Sequence, residues 1–139
     1  MTHIDVVRVA CDDAGKQFRN AVAGITPTGW NTKANDQGMT VAEMVGHCCE
    51  CYVAFEKDLR GEAHEWGTFM TDMSSPETTM ALWNELRDKA VNAALVDGSD
   101  KAVRAALGYG ALHDAYHVGQ IVLARLSAEP DWNSYSIYD

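Results

Sequence analysis

The sequence predicts an all-α fold, a four-helix bundle formed by one domain over residues 1–139. Three observations lead there. Apolar residues recur at alternating three- and four-residue steps in four separate stretches, the period of a helix with one buried face. Capping and breaking residues stand between those stretches: Thr26-Pro27, Thr40, Ser75-Pro76, Asp97-Gly98-Ser99 and Pro130. No stretch sustains the apolar–polar alternation of a strand, and no internal repeat is visible.

The first helix carries Ile4, Val7, Cys11, Ala14, Phe18, Val22 and Ile25 on one stripe and runs to about Ile25, where Thr26-Pro27 stops it. A loop with Gly29, Asn31, Asn35, Asp36 and Gly38 follows. Thr40 and Glu43 then form the Thr-x-x-Glu pattern of a capping box. The second helix has Met44, Cys48, Cys51, Phe55 and Leu59 as its stripe and ends near Gly61. Residues 62–75 are a long connection with scattered aromatics, Trp66 and Phe69, long enough for a crossover rather than simple up-down-up-down winding. Ser75 reads as an N-cap with Pro76 in the first turn, and Trp83, Leu86, Ala90 and Ala93 carry the third helix to Asp97-Gly98-Ser99. The fourth begins between Asp100 and Arg104 and runs through Leu126, with Gly108 and Gly110 weakening its start. The tail from Pro130 to Asp139 is aromatic and suited to packing back on the bundle or onto a partner subunit.

Composition narrows the function. At 47% hydrophobic residues with three prolines, the chain can bury a core without disulfides. A net charge of −9 argues against nucleic acid and against anionic membrane surfaces, both of which reward cationic partners. No apolar run approaches the roughly 18 residues of a membrane span. The start Met1-Thr2-His3-Ile4-Asp5 lacks the basic and small-residue features of a secretory signal, so a cytoplasmic location is expected. Cys11, Cys48, Cys49 and Cys51 are then expected to be reduced.

The chemistry-bearing residues are histidines. His113 and His117 stand four apart on the fourth helix, where Cβ atoms are about 6 Å apart on one face. They share that face with Gln120 and Ala124, flanked by Tyr109, Tyr116 and Ile121. His47, in the second helix, is the third member of a candidate set. Bundles build metal sites from side chains on facing helices, and three imidazoles with an open position are a common catalytic zinc sphere. The competing reading is a group of partly buried histidines, each satisfied by a neighbour. Glu43 has two readings as well: helix capping, or accepting the outer N–H of His47 or activating a bound water.

Two sharper signatures fail. In His-Glu-x-x-His a glutamate sits beside the zinc, whereas here Asp114 holds that position with a shorter side chain. Di-iron bundles need two Glu-x-x-His pairs, and Asp114-Ala115-Tyr116-His117 stands alone. Cys48 and Cys51 form a Cys-x-x-Cys that fits core packing, a redox pair or a metal ligand, Cys51 being the one on the His47 side. Trp30, Trp66, Trp83 and Trp132 read as core and loop anchors, and nothing singles out His3 or His64.

The segment Thr40-Val41-Ala42-Glu43-Met44-Val45-Gly46-His47 and the segment His113-Asp114-Ala115-Tyr116-His117-Val118-Gly119-Gln120-Ile121 resemble the second-helix motif and the His-x-x-x-His-x-Gly-Gln-Ile motif of the DinB/YfiT-like superfamily. Helix order, a tryptophan-bearing loop before the second helix, and chain length agree. The resemblance implies a bundle wound up-down-down-up, often a homodimer, with zinc or nickel on His47, His113 and His117. It also implies a metal-dependent transferase or isomerase acting on a small molecule with a low-molecular-weight thiol, where Glu43, Tyr116 or Gln120 orients the substrate. The chain ends soon after its fourth helix, without the further C-terminal domain of mycothiol-dependent maleylpyruvate isomerases, and the cysteine cluster lies outside the family motif. Two other readings stay open: a non-catalytic or stress-linked bundle whose metal staples the second and fourth helices, and a metal-free interaction module.

Overall fold

The computed structural model describes all 139 residues and is helical, its sole β feature being an isolated bridge between Lys33 and Thr40. The elements are α1 (His3–Val22), α2 (Pro27–Trp30), α3 (Val41–Leu59), α4 (Pro76–Asp97), α5 (Asp100–Leu107), a π-helical turn (Gly108–His113), α6 (Asp114–Ala128) and a C-terminal 3-10 turn (Ser134–Tyr138). Leu107, His113 and Asp114 keep right-handed helical dihedrals, so α5, the π turn and α6 are one long helix with a widened middle. Four long helical runs therefore surround one core. α3 packs mainly on α4, and α1 packs on α6 and the π turn. No helix is long and apolar enough to cross a membrane.

Local chemistry explains the boundaries. Thr2 and Thr40 cap α1 and α3 through complete capping boxes with Asp5 and Glu43. Ser75 caps α4 with Pro76 in its first turn, as the sequence predicts. α1 ends earlier than expected, at Val22. Proline disfavours helical dihedrals in the residue before it, and Thr26 is extended, with ψ 160°. The chain must leave the helix before Thr26, whose hydroxyl then caps a new turn by accepting from Gly29 N at 3.0 Å.

The stripe of α4 also differs from expectation. Ala93 is exposed and Leu86 half-buried, while Thr79, Trp83, Arg87, Ala90, Val91, Ala94 and Leu95 face inward. Trp83 stacks on Phe18 with centroids 4.3 Å apart and meets Tyr52 edge-on at 6.2 Å. Phe55 stacks on Tyr109 at 5.1 Å.

The 62–75 connection is tied down at both ends. Glu50 Oε1 lies 2.9 Å from His64 Nε2 and accepts from Gly67 N at 2.7 Å, and Met73 O accepts from Trp30 Nε1 at 2.9 Å. His64 thus has a structural role, while Trp66 beside it is 55% exposed rather than an anchor in the core. The tail packs back on α1, where Asn20 Nδ2 and Lys16 Nζ donate to the carbonyls of Ile137 and Tyr138 and Ile137 is buried.

Candidate metal centre

The π turn positions half of the site, and a buried ion pair holds the turn. Asp114 is fully buried; its Oδ2 accepts from Arg87 Nε at 2.8 Å and from the Tyr52 hydroxyl. Arg87 Nη2 donates to Gly110 O at 2.7 Å and also to Cys11 O. The Asp114 N–H bonds Ala111 O instead of Gly110 O, which leaves the Gly110 carbonyl to the guanidinium. Arg87 therefore links α1, α4 and the π turn. Burial pushes the Asp114 carboxyl up to about 6, against the opposing pull of Arg87 and Tyr52.

Two glycines make room for this network. A Cβ at Gly15 would lie 2.7 Å from the Arg87 guanidinium carbon, and one at Gly110 would lie 2.9 Å from Cys11 Sγ and 3.0 Å from Val91 Cγ2. The Gly108 and Gly110 pair, which reads in the sequence as a weak helix start, is where the long helix widens. Gly110→Ala is expected to lose about 1–2 kcal/mol of stability, overpacking outweighing the better helix propensity of alanine. Chemical denaturation checks this, and an unchanged or raised midpoint would show that Cys11 and Val91 can yield.

His47 projects from α3, His113 closes the π turn, and His117 lies one turn into α6. One ring nitrogen from each lies within 4.8 Å of the others, so the structure brings together the three predicted ligands. His113 Nε2 and His117 Nε2 are 3.1 Å apart. The His47 ring centroid is 5.5 Å from that of His113 and 5.2 Å from that of His117. His117 is buried, and His47 and His113 are half-buried. Burial, then the neighbouring imidazoles of His113 and His47, push His117 down to about 4, and burial with His47 lowers His113. Both are neutral at physiological pH, the state in which an imidazole ligates metal.

The set fits a metal ion by a further observation. His117 Nδ1 and Gln120 Oε1 are both buried without a hydrogen-bond partner, and Gln120 is the side chain that pulls His117 toward protonation. An N–H on Nδ1 matches that acceptor, which leaves the Nε2 lone pair pointing at His113 Nε2. Without an ion His113 Nε2 can donate its N–H to that lone pair at 3.1 Å; with one, both nitrogens can turn lone pairs to it. Histidines that ligate metal commonly give their outer N–H to such an acceptor.

Cys51 belongs to this cluster: its Sγ is 3.5 Å from His47 Nε2 and 3.9 Å from His113 Nε2. All four cysteines are free and buried, and burial pushes the Cys51 thiol up to about 12 in the metal-free chain. A second group, Cys48 with His113 and Asp114, has comparable spacing. There the Arg87 guanidinium already supplies the cation for Asp114.

The other predicted site residues divide. Glu43 is exposed, and its carboxylate accepts from Thr40 N at 3.3 Å; it caps α3 and makes no hydrogen bond to His47. Tyr116 is 63% exposed, with its hydroxyl accepting from Gln120 Nε2 at 3.1 Å and its ring edge-on to His117 at 5.1 Å. Gln120 also lines a cavity of about 210 Å³ with Asn35, Met39, Met44 and Leu123. A larger cavity of about 290 Å³, lined by Arg19, Ile25, Met80 and Asn84, touches none of the histidines. Compared with protein-family models, curated proteins and solved structures, the chain matches none. The Arg87–Asp114–Tyr52 network was missed in the sequence; its signal is an arginine one turn after Trp83 on an apolar stripe.

Proposed function

We propose that this chain is a divalent-metal-binding bundle of the DinB/YfiT-like type, wound up-down-down-up, with His47, His113 and His117 holding zinc or nickel. We further propose that it is a metal-dependent transferase that uses a low-molecular-weight thiol on a small electrophile, as a cytoplasmic homodimer. The observation that carries the metal reading is the convergence of three imidazoles from two helices on one point. A divalent ion there supplies positive charge that favours a thiolate over a thiol. The chain's own residues do the rest. A small rotation of Gln120 Oε1 onto His117 Nδ1 would fix the tautomer of His117, and the Arg87–Asp114 pair fixes the turn that presents His113. The Tyr116 hydroxyl and the Gln120 carboxamide, which lines the 210 Å³ cavity, are the groups that would orient a substrate. Glu43 acts as a cap that holds the start of α3.

A second reading is a non-catalytic site in which the metal staples α3 to the long helix. The place of Cys51 favours it, because a fourth protein ligand closes the sphere as in structural zinc sites.

The test is elemental analysis of tag-free protein beside His113→Ala. Near-stoichiometric zinc or nickel is expected in the parent. Affinity in the variant should fall by more than about a hundredfold, beyond the loss of an outer-sphere partner. Thiol transfer should disappear with the metal. A parent that holds no metal after reconstitution overturns the metal reading; bound metal without thiol transfer leaves the second reading in force.

A further inference from the structure

We infer that Cys51 is a fourth ligand to the ion held by the three histidines, so that the protein itself closes a His3Cys sphere. The inference rests on the metal reading above and deepens its second form, the closed site, at the expense of thiol transfer.

Geometry carries it. With metal–nitrogen bonds of about 2.0–2.1 Å and a metal–sulfur bond of about 2.3 Å, a tetrahedral sphere has nitrogen–nitrogen edges of about 3.3 Å and nitrogen–sulfur edges of about 3.6 Å. The observed His113–His117 separation is 3.1 Å, and Cys51 Sγ stands 3.5 and 3.9 Å from His47 and His113. Cys51 Sγ thus stands at edge length from two of the three imidazoles, and a bound ion would draw it toward the third, His117. The backbone explains why. His47 and Cys51 are four apart on α3, as His113 and His117 are on the long helix, so each helix offers an i, i+4 pair from one face. Two such pairs facing each other make a four-cornered site. Cys48 and Cys49 are also fully buried; Cys48 groups with His113 and Asp114, on the Arg87 side, and not with His47 or His117. The bland alternative is a thiol–imidazole hydrogen bond, which 3.5 Å also permits.

The sphere has chemical consequences. A thiolate with three imidazoles suits zinc and its tetrahedral analogues and disfavours magnesium and manganese, which prefer oxygen ligands. An exogenous thiol would then meet a site whose sulfur position the protein already occupies.

Cobalt(II) titration of the metal-free, full-length protein tests this, with cobalt alone as the probe. The parent should bind one equivalent with an intense sulfur-to-cobalt charge-transfer band and four-coordinate visible bands. Cys51→Ser should retain a cobalt ion, lose the charge-transfer band and bind about tenfold or more weakly. Cys48→Ser should keep the band. Cobalt bound by the parent without the band, or a band that survives in Cys51→Ser, overturns Cys51 as ligand while leaving the histidine triad standing. Absence of cobalt binding by the parent overturns the triad and the inference together. Zinc-edge X-ray absorption of the parent needs no variant to fold: one sulfur at about 2.3 Å supports the inference, and an all-nitrogen or nitrogen–oxygen sphere overturns it.

Discussion

Arg87→Met is expected to destabilise the fold by about 3–5 kcal/mol, because it leaves the Asp114 carboxylate buried without its counter-ion. The methylene stem is roughly preserved, so the loss isolates the guanidinium. It takes three acceptors with it: Asp114 Oδ2, Gly110 O and Cys11 O. The sign of the pH dependence follows. Asp114 already holds its proton up to about 6, and without Arg87 it holds it to a higher pH still, so the variant's folded state binds more protons than the parent's and the deficit grows as pH rises above about 6. Removing both partners should be milder. In Arg87→Met/Asp114→Leu no buried charge remains, and the Tyr52 hydroxyl keeps Tyr109 O as an acceptor at 3.2 Å. Urea denaturation of the two variants decides the matter. A single variant that costs under about 1 kcal/mol would mean that water reaches Asp114 and that the pair is not the anchor of the π turn.

Trp83→Ala should be comparably costly, about 3–5 kcal/mol, and should couple to the first substitution. The indole is fully buried against Phe18, with Tyr52 at its edge, and the Arg87 guanidinium carbon lies 5.3 Å from its ring centroid. Its removal opens a cavity between α1 and α4 and frees the guanidinium to move. The double variant with Arg87→Met should therefore lose less than the sum of the two, by about 0.5–3 kcal/mol. Strict additivity in a double-mutant cycle would show that the indole and the guanidinium act independently. Trp83→Phe, which retains the stack on Phe18, should cost distinctly less than alanine.

The parts of this fold legible in the sequence are those set by short-range chemistry. Thr40 with Glu43 and Ser75 with Pro76 start their helices where expected, and His113 and His117 share a face because a four-residue spacing demands it. His47 was legible as a candidate; its approach to the pair depends on α3 lying beside the long helix, which spacing alone does not fix. Three features escaped for physical reasons. Apolar periodicity treats arginine as polar, so Ala93 took a stripe position and the inward Arg87 was passed over. Thr26-Pro27 reads as a stop, although the same dihedral restriction also lets it begin α2. The π turn shows in the sequence only as Gly108 and Gly110, which read as a weak helix start, since one extra residue in a helical circuit does not alter capping. Glu43 illustrates the reverse case: of its two readings, the capping box is the one its carboxylate occupies.

The widened turn at Gly108–His113 also bears on how this helix can change by insertion and deletion. A π turn accommodates an extra residue within an otherwise α-helical run. Each residue of an α-helix turns the chain by about 100°, so deleting one there and restoring the regular winding would swing everything after it by that angle relative to α5. Gln120 and His117 would then point away from α3 while every hydrogen bond of the helix stayed intact. Length at this one place is therefore as decisive for the site as the identity of the histidines. A bundle one residue shorter here would lose the site together with the Arg87–Asp114 pair and the inward face formed by Val118, Ile121 and Ala124.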